Sequence, residues 1–487
     1  MGVHSSDRVK MTYNDEHLIA IVNIAENFPT NSIGLYQEIT NELGITKGEA
    51  LEVNPADKPE TLSYIQAKIH GERLREDQIG LIVKDVVEGH FSDIELASFV
   101  TSLHIHGLSM SEIEALSKAM VATGSTIRFD KTPILDKHSI GGVPGDKTTI
   151  MVIPIIAAAG FFIPKTSSRA VTSPAGTADV VESLCPVDLT IEEIKEVVQK
   201  TNGCMVWGGA LELAPADDIF IQIEYPLAID PLLLPSIMSK KKAVGATHLI
   251  VDIPTGRGAK VKTIGQAHAL AYDFIDLGNR LGMTVECALT FGEQPVGCAI
   301  GPALEAREAL ISLMGNGPAD LREKTLRIAG MLLEMTGIQD GKRMAEDLLE
   351  SGKAEEKLRE IIEAQGGNPK LRPSDLEVGE KTLNVKAEDD GTVLWINNKH
   401  IAQIAKQAGA PREKGAGVLL KTKLGQHIRK GESLFEIYSE RSTKLQAAWE
   451  LAEKLESVGI SRTPEERMLV GRVPVISLHK EDFMLER

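Results

Sequence analysis

Aromatic residues are scarce in this chain: Phe, Trp and Tyr make up 4% of its 487 residues. That excludes the ring platforms on which single-stranded nucleic acid is stacked. Positive charge is also short, with 53 Lys and Arg against 69 Asp and Glu and a formal net charge of −16. Nucleic acid and anionic membrane surfaces are therefore excluded as partners. A small anion remains open, because a pocket can be basic inside an acidic shell. Cys185, Cys204, Cys287 and Cys298 are widely spaced, with no C-x-x-C. They read as buried, reduced thiols of a cytoplasmic protein, not as disulfides or a metal site. No stretch reads as a signal peptide. The longest apolar run, Ile150 to Pro164, is interrupted by Pro154 and Gly160 and is short for a membrane span. It reads as a core helix that ends near Gly160 and leads into a strand.

What the chain does have is DKHSIGGVPGDKTT, from Asp136 to Thr149. Its glycines and proline rule out regular structure through the centre, and IMVIPIIAAAG follows at once. The pattern predicts a glycine-rich loop feeding the N-terminus of a buried helix. Backbone N–H groups and the helix dipole then favour a phosphate. Lys137, Ser139, Lys147, Thr148 and Thr149 add donors. An exposed polar turn is the competing reading.

With 43% apolar and 25% charged residues, the length suggests about three globular domains. Residues 1–57 read as a small β-rich domain, with IAIVNIAENF either strand or helix, and PADKP as a linker. Residues 58–126 read as a helical subdomain. Ser92 with Glu95 and Ser111 with Glu114 are its expected capping boxes, and Gly89, Gly107 and Gly124 its expected stops. His104 and His106 read as helix-end residues, since i, i+2 spacing puts them on different faces. Residues 127–371 read as an α/β domain with a mixed sheet. Its strand candidates are KTPILDK, GFFIPKT, ATHLIVDI and GMTVECALT. Residues 372–487 read as an α+β domain.

Ligands of α/β sheets gather at loops beyond strand C-termini. Three more polar loops are expected to follow strands. KTSSRAVTSPAGTAD offers hydroxyls and the Arg169 fork, which suit a phosphate or ribose. AIDPLLLPSIMSKKK carries Asp230 among apolar neighbours, where partial desolvation would suit it to proton donation; an Asp-Pro turn former is the alternative. Ser236 and Lys240 are four apart and share a face if this segment is helical. DIPTGRGAK adds Arg257 and Lys260. Together these loops imply a site for a small, multiply anionic ligand, with one acid beside it.

The loops DKHSIGGVPGDKTT, KTSSRAVTSPAGTADVVE, NGCMVWGGALELAPADD, EYPLAIDP, SIMSKKKAVGATH and VDIPTGRGAKV closely resemble those of the thymidine/pyrimidine nucleoside phosphorylase family. Within it they resemble most the branch acting on AMP. The likeness runs from about residue 55 to the C-terminus. It implies phosphorolysis of nucleoside 5′-monophosphates, giving base and ribose 1,5-bisphosphate, with CMP and UMP as further substrates of the branch. It implies that Gly142, Ser168, Arg169, Ala170, Val171, Thr172, Ser173, Thr177, Ser236 and Lys260 bind the nucleotide. Lys137 and Ser139 would bind inorganic phosphate, and Asp230 would be the proton donor. No cofactor or metal is implied, and the enzyme would be a homodimer or larger homo-oligomer. Pyrimidine enzymes of the family carry an arginine near the position of Glu224 or Tyr225; here no arginine lies between Ala214 and Lys240. Two departures accompany the likeness: an N-terminal barrel that looks partial, and a short IDPLLLPS turn. GVLLKTKLGQHIRKGESLFEI resembles the family's C-terminal domain, for which a structural or assembly role is expected.

Two other classes compete. A phosphoribosyltransferase would need an acidic metal-binding pair, for which Asp179 with Glu182 is the only candidate, and that pair reads better as a helix start. A nucleotide sensor would need no acid at Asp230.

Overall fold

The computed structural model describes residues 3–5, 7–14, 16–170 and 173–461. The chain forms two compact units, and it enters each of them twice: residues 1–126 and 212–243 make one, residues 127–211 and 244–487 the other.

The first passage begins with β1 (Arg8–Tyr13), β2 (Glu16–Ile21), α1 (Gln37–Leu43) and β3 (Glu52–Pro55). The strands form an antiparallel sheet of order β2-β1-β3. Alternation in RVKMTY buries Val9 and Met11 and turns Lys10 outward, as a sheet with one wet face requires. IAIVNIAENF resolves as strand in its first part. Helices α2 (Leu62–Ile69), α3 (Glu76–Val87), α4 (Asp93–His106) and α5 (Met110–Ala122) follow. In α3 the buried set Ile79, Ile82, Val83 and Val86 repeats at three-four spacing. Arg8 joins sheet to helices, donating to the His90 carbonyl at 2.8 Å and to the Glu95 carboxylate.

The Ser92–Glu95 box caps α4 as expected. The box of α5 lies two residues before the expected one, at Ser109 and Glu112 rather than Ser111 and Glu114. Both pairs fit the sequence pattern, and tertiary contact decides between them. The Glu112 carboxylate accepts from the buried Lys68 ammonium at 2.8 Å and from the Leu74 N–H at 3.1 Å, partners with no signature in the local sequence. At the end of α4, His106 meets the Ile69 carbonyl at 3.0 Å.

The second unit opens with β4 (Leu135–Ser139), α6 (Thr148–Ala158), β5 (Ile163–Ser167), α7 (Thr177–Val181), α8 (Ile191–Thr201) and β6 (Gly203–Trp207). Every residue of α6 from Thr148 to Ala157 is buried, which is why its sequence shows no polar face. Strand β6 lies outside the expected set. It is buried along most of its length and starts on Gly and Cys, so it lacks both alternation and β-branched density.

The chain then returns to the first unit for α9 (Pro215–Leu227) and α10 (Leu233–Ala243). Phe220 and Leu232 enter the same core as Phe99 and Leu116. The last passage runs through β7 (His248–Thr255), α11 (Ile264–Arg280), β8 (Thr284–Phe291), β9 (Ala299–Ile300), α12 (Pro302–Leu313), α13 (Ala319–Glu334), α14 (Gly341–Glu350) and α15 (Lys353–Ala364). Strands β4-β7-β8 pair in parallel, as do β5-β6. An Ile134–Phe162 bridge links the two sets.

The C-terminal region comprises β10 (Lys381–Lys386), β11 (Gly391–Ile396), α16 (Asn398–Gln407), β12 (Gly417–Leu420), β13 (His427–Ile428), β14 (Ser433–Ser439), α17 (Ser442–Lys454) and β15 (Val458–Ser461). Its sheet β10-β14-β12 is extended by β9, contributed by the preceding region. The α+β expectation holds, and antiparallel pairs here complement the parallel ones above.

Lys68→Met should destabilise the protein by about 3–5 kcal/mol, because it strands the buried Glu112 carboxylate without its cation. Urea unfolding followed by hydrogen exchange in α2 and α5 measures this; a loss below about 1 kcal/mol would show the pair to be dispensable.

Candidate functional site

In the second unit, β4 delivers Lys137 and Ser139 to the loop at 140–147, and α6 leaves from it. Gly141, Gly142 and Gly145 have φ of 79°, 93° and 75°, a region that L side chains avoid. A Cβ on Gly142 would lie 2.6 Å from the backbone nitrogen of Lys260. The first glycine loop and the loop after β7 are therefore in backbone contact.

Beneath the first loop, three lysines and three aspartates alternate. The Lys137 ammonium is fully buried, 3.2 Å from the Thr149 hydroxyl and 3.6 Å from the Asp252 carboxylate. Lys324 lies 3.0 Å from Asp146 and 2.8 Å from Asp252. Lys165 lies 3.7 Å from Asp136. Burial opposes charge on Asp146, yet the nearby ammoniums of Lys324 and Lys137 hold its carboxyl far below the usual range. Burial likewise opposes charge on Lys324, and the carboxylates of Asp146 and Asp252 raise it all the same. Sequence reasoning does not single out Asp252 or Lys324, since the local pattern around each gives no hint of an ion pair.

Lys147 corrects an expectation. Rather than facing an anion, its buried ammonium turns away to the carbonyls of Val296 (3.1 Å) and Ala299 (3.0 Å) and to the Glu308 carboxylate. Glu308 also accepts the N–H groups of Cys298 and Ala299. Two carbonyls and a carboxylate take the place of water, and the residue ties the loop to the segment before α12. That segment is gripped again by Lys423, which donates to Pro295 at 2.8 Å, to Gly297 and to Asp320.

In the loop after β5, Arg169 forms a two-pronged bond to Glu182, at 2.9 and 2.7 Å. Its guanidinium also lies 4.8 Å from the centre of the Trp207 ring. The bond to Arg169 holds the Glu182 carboxyl down at about 2, with Lys414 assisting. Asp179 accepts from Ala170 (2.7 Å) and Gly176 (2.8 Å) and closes the loop, which accounts for it as a helix-start residue. Ser168 is exposed and its carbonyl accepts from Ala178; Ser173 bonds the Ala175 carbonyl; Thr177 begins α7. Val171 and Thr172 lie outside the described residues. After β7, Lys260 is exposed and Arg257 is paired with Glu293 at 3.0 Å.

In the first unit, the segment carrying Asp230 does not follow a strand, contrary to expectation. It is the turn between α9 and α10. Ala228 takes the left-handed conformation there, at φ 53°. Buried Glu224 accepts the Leu232 N–H at 3.2 Å, holding the turn closed. Asp230 itself is exposed, so the expected desolvation is not met: the adjoining Tyr225 and Leu227 are exposed as well and shield nothing. The shared face of Ser236 and Lys240 is confirmed, since both reach Asp217, at 2.8 and 2.6 Å. Burial pushes the Asp218 carboxyl up, against the pull of Lys240. Among the described residues, Asp85, Glu88 and His90 could hold a metal ion, their ligand atoms lying within 4.8 Å of one another. Asp85 and His90 already bond each other at 2.9 Å.

Three family models match. One described as a glycosyl transferase family helical bundle domain covers residues 62–124, and one for the a/b domain of that family covers 131–355. A pyrimidine nucleoside phosphorylase C-terminal domain covers 392–458. The chain is 50% identical to an AMP phosphorylase of Thermofilum pendens, over 97% of this chain and 93% of that one. It is also 50% identical to an AMP phosphorylase of Methanocaldococcus jannaschii, over 92% and 90%. Among solved structures, anthranilate phosphoribosyltransferase (TrpD) of Thermus thermophilus superposes with a TM-score of 0.54 at 19% identity, covering 62% of this chain and 98% of that one. That likeness is one of fold.

Gly141→Ala has open space around its new methyl and should lose about 1–2 kcal/mol through its positive φ alone. Gly142→Ala adds a backbone collision and should lose at least about 3 kcal/mol; equal losses by thermal unfolding would contradict the packing of the two loops. The Arg169–Glu182 bond should contribute about 1 kcal/mol at neutral pH, given its partial exposure. Because the folded carboxyl is depressed from 4.5 to about 2, that contribution is complete above pH 4.5 and lost as pH falls through 2. The stability gap between wild type and Glu182→Gln should close over that window in urea titrations.

Proposed function

The chain belongs to the AMP phosphorylase family, and from this we propose that it carries out phosphorolysis of AMP to adenine and ribose 1,5-bisphosphate. CMP and UMP are further substrates in this reading.

The observation that carries the proposal is the backbone contact between Gly142 and Lys260. Two glycine-bearing turns, each with a strand behind it, abut in one unit. The reaction brings two phosphoryl groups to one ribose: the 5′-phosphate of the nucleotide and the attacking inorganic phosphate. Two adjoining glycine-bearing turns, one of them leading into the N-terminus of α6, suit such a pair. The buried lysines below are already balanced by carboxylates, so the turns add little net charge of their own. The Lys137 ammonium is held in place by Asp252 before an anion arrives, and donors fixed in this way need no reorganisation as the transition state forms.

In the reaction, an oxygen of inorganic phosphate bonds to C1′ as the C1′–N bond to the base breaks. The electron pair of that bond leaves with the base, and a proton from Asp230 neutralises it. Attack from the face opposite the base inverts the anomeric carbon and gives the α-1-phosphate. Lys137 and Ser139 hold the incoming phosphate. Gly142, Ser168 to Ser173, Thr177, Ser236 and Lys260 hold the nucleotide. Arg169 is among these nucleotide contacts in this reading, its guanidinium oriented by the two-pronged bond to Glu182.

Thymidine phosphorolysis is the second reading. Against it stands the position near which pyrimidine enzymes of the family carry an arginine. Here Glu224 is buried and turned onto its own loop. We also place the enzyme in the cytoplasm as a homodimer or larger homo-oligomer. Exposed Ile94 and Ile105 on one helix support self-association. Among the described residues no helix is long and apolar enough to cross a membrane.

Phosphate-dependent base release should be faster from AMP than from thymidine, without added metal; a preference for thymidine would reassign the substrate. Asp230→Asn should lower kcat by about 10²–10⁴-fold while phosphate affinity stays unchanged. Undiminished turnover in that variant would remove Asp230 from the mechanism.

A further inference from the structure

Asn398, in the C-terminal region, reaches the loop that carries Lys260. It is the first residue of α16 and only 1% exposed. Capping does not explain it, because the neighbouring Asn397 accepts the Lys399 and His400 N–H groups. Instead the Asn398 amide donates through Nδ2 to the Gly292 carbonyl at 2.9 Å. The backbone of Gly258 lies against the same side chain: a Cβ there would be 2.7 Å from Nδ2 and 3.0 Å from Cβ and Cγ.

The two segments that Asn398 touches are themselves in contact. Gly292 donates to the Thr255 carbonyl at 2.9 Å. A Cβ on Gly256 would lie 2.8 Å from the Gly292 carbonyl carbon, and one on Gly292 would lie 3.0 Å from the Ala259 side chain. No slack remains between residues 255–260 and residue 292. Two residues beyond Gly258, the nitrogen of Lys260 abuts Gly142. A shift at Asn398 therefore acts directly on the close-packed 256–260 turn that carries Lys260.

The amide also carries a penalty. Its Oδ1 is buried with no hydrogen-bond partner, which disfavours the fold by about 1–3 kcal/mol. A leucine of similar size would avoid that loss. What the amide supplies in exchange is the bond from Nδ2 and a flat surface on which Gly258 rests.

We propose that Asn398 is a positioning residue that fixes the 256–260 loop for the nucleotide, so that the C-terminal region tunes AMP affinity. This rests on the reading of Lys260 as a nucleotide contact. Asn398→Leu removes the donor, and Asn398→Asp keeps the shape while losing the donor. Calorimetric titration of each full-length variant with AMP and, separately, with inorganic phosphate is the test, with Lys260→Ala as the control. AMP binding should weaken by about tenfold or more in the Asn398 variants, with phosphate binding within about twofold of wild type. If Asn398→Leu does not fold, Asn398→Asp decides by the same readout. Unchanged AMP affinity in a folded Asn398 variant, with Lys260→Ala weakened, overturns the positioning role and leaves the nucleotide site intact. Parallel loss of both affinities shows a merely structural residue and overturns it too. Unchanged AMP affinity in Lys260→Ala overturns the nucleotide site, and the positioning role with it.

Discussion

Lys324 stands between Asp146 and Asp252, and Lys137 closes on Asp252 from the other side. Every one of these groups is at least nearly buried, where a charge without a partner is costly. Burial opposes the charge on Asp146 and on Lys324, and the charged partners of each hold it ionised all the same. Through them the loop ahead of α6, strands β4 and β7, and helix α13 hold one arrangement. Removing any one would strand its partners in a dry interior. The glycine turns above thus rest on a base that cannot yield piecemeal, which is the condition for donors that are in place before an anion arrives.

A second set of contacts works at the edge of that base. Lys147, Lys423 and Asn398 each bind main-chain carbonyls of residues 292–299, and two of the three come from the C-terminal region. Backbone carbonyls have two lone pairs and no rotamers, so a side chain bound to them fixes the main chain itself. Sequence alone suggests structure or assembly as the work of the C-terminal region; its side chains in fact reach the segments flanking the glycine turns.

The parts of this arrangement that are legible in the sequence are local. Gly141 and Gly142, the buried run after them, and the Ser92–Glu95 cap follow from steric rules acting within a few residues. What escapes such reading is decided at a distance. Lys324 lies 178 residues from Asp146, and nothing near it in sequence marks it out. Ser109 and Ser111 offer equal caps until Lys68 chooses between them. Lys147 resembles a phosphate ligand because sequence gives a side chain's reach but not its direction. The α9–α10 turn reads as one that follows a strand because the segment before it is apolar without clear period. The roles of Asp230, Ser236 and Lys260 come from family likeness and not from spacing, since an Asp-Pro turn and a basic glycine loop are common without chemistry.

The double passage of the chain has a bearing on how the protein is made. Phe99 and Leu116 share their core with Phe220 and Leu232, and α5 packs on α10. During translation, helices α2 to α5 leave the ribosome well before α9 and α10 exist. Until residue 243 has emerged, the early helices carry an apolar face with nothing to cover it. The nascent chain therefore passes through a sticky interval while residues 127–211 are synthesised, and a pause or a truncation within that stretch would favour aggregation over delay.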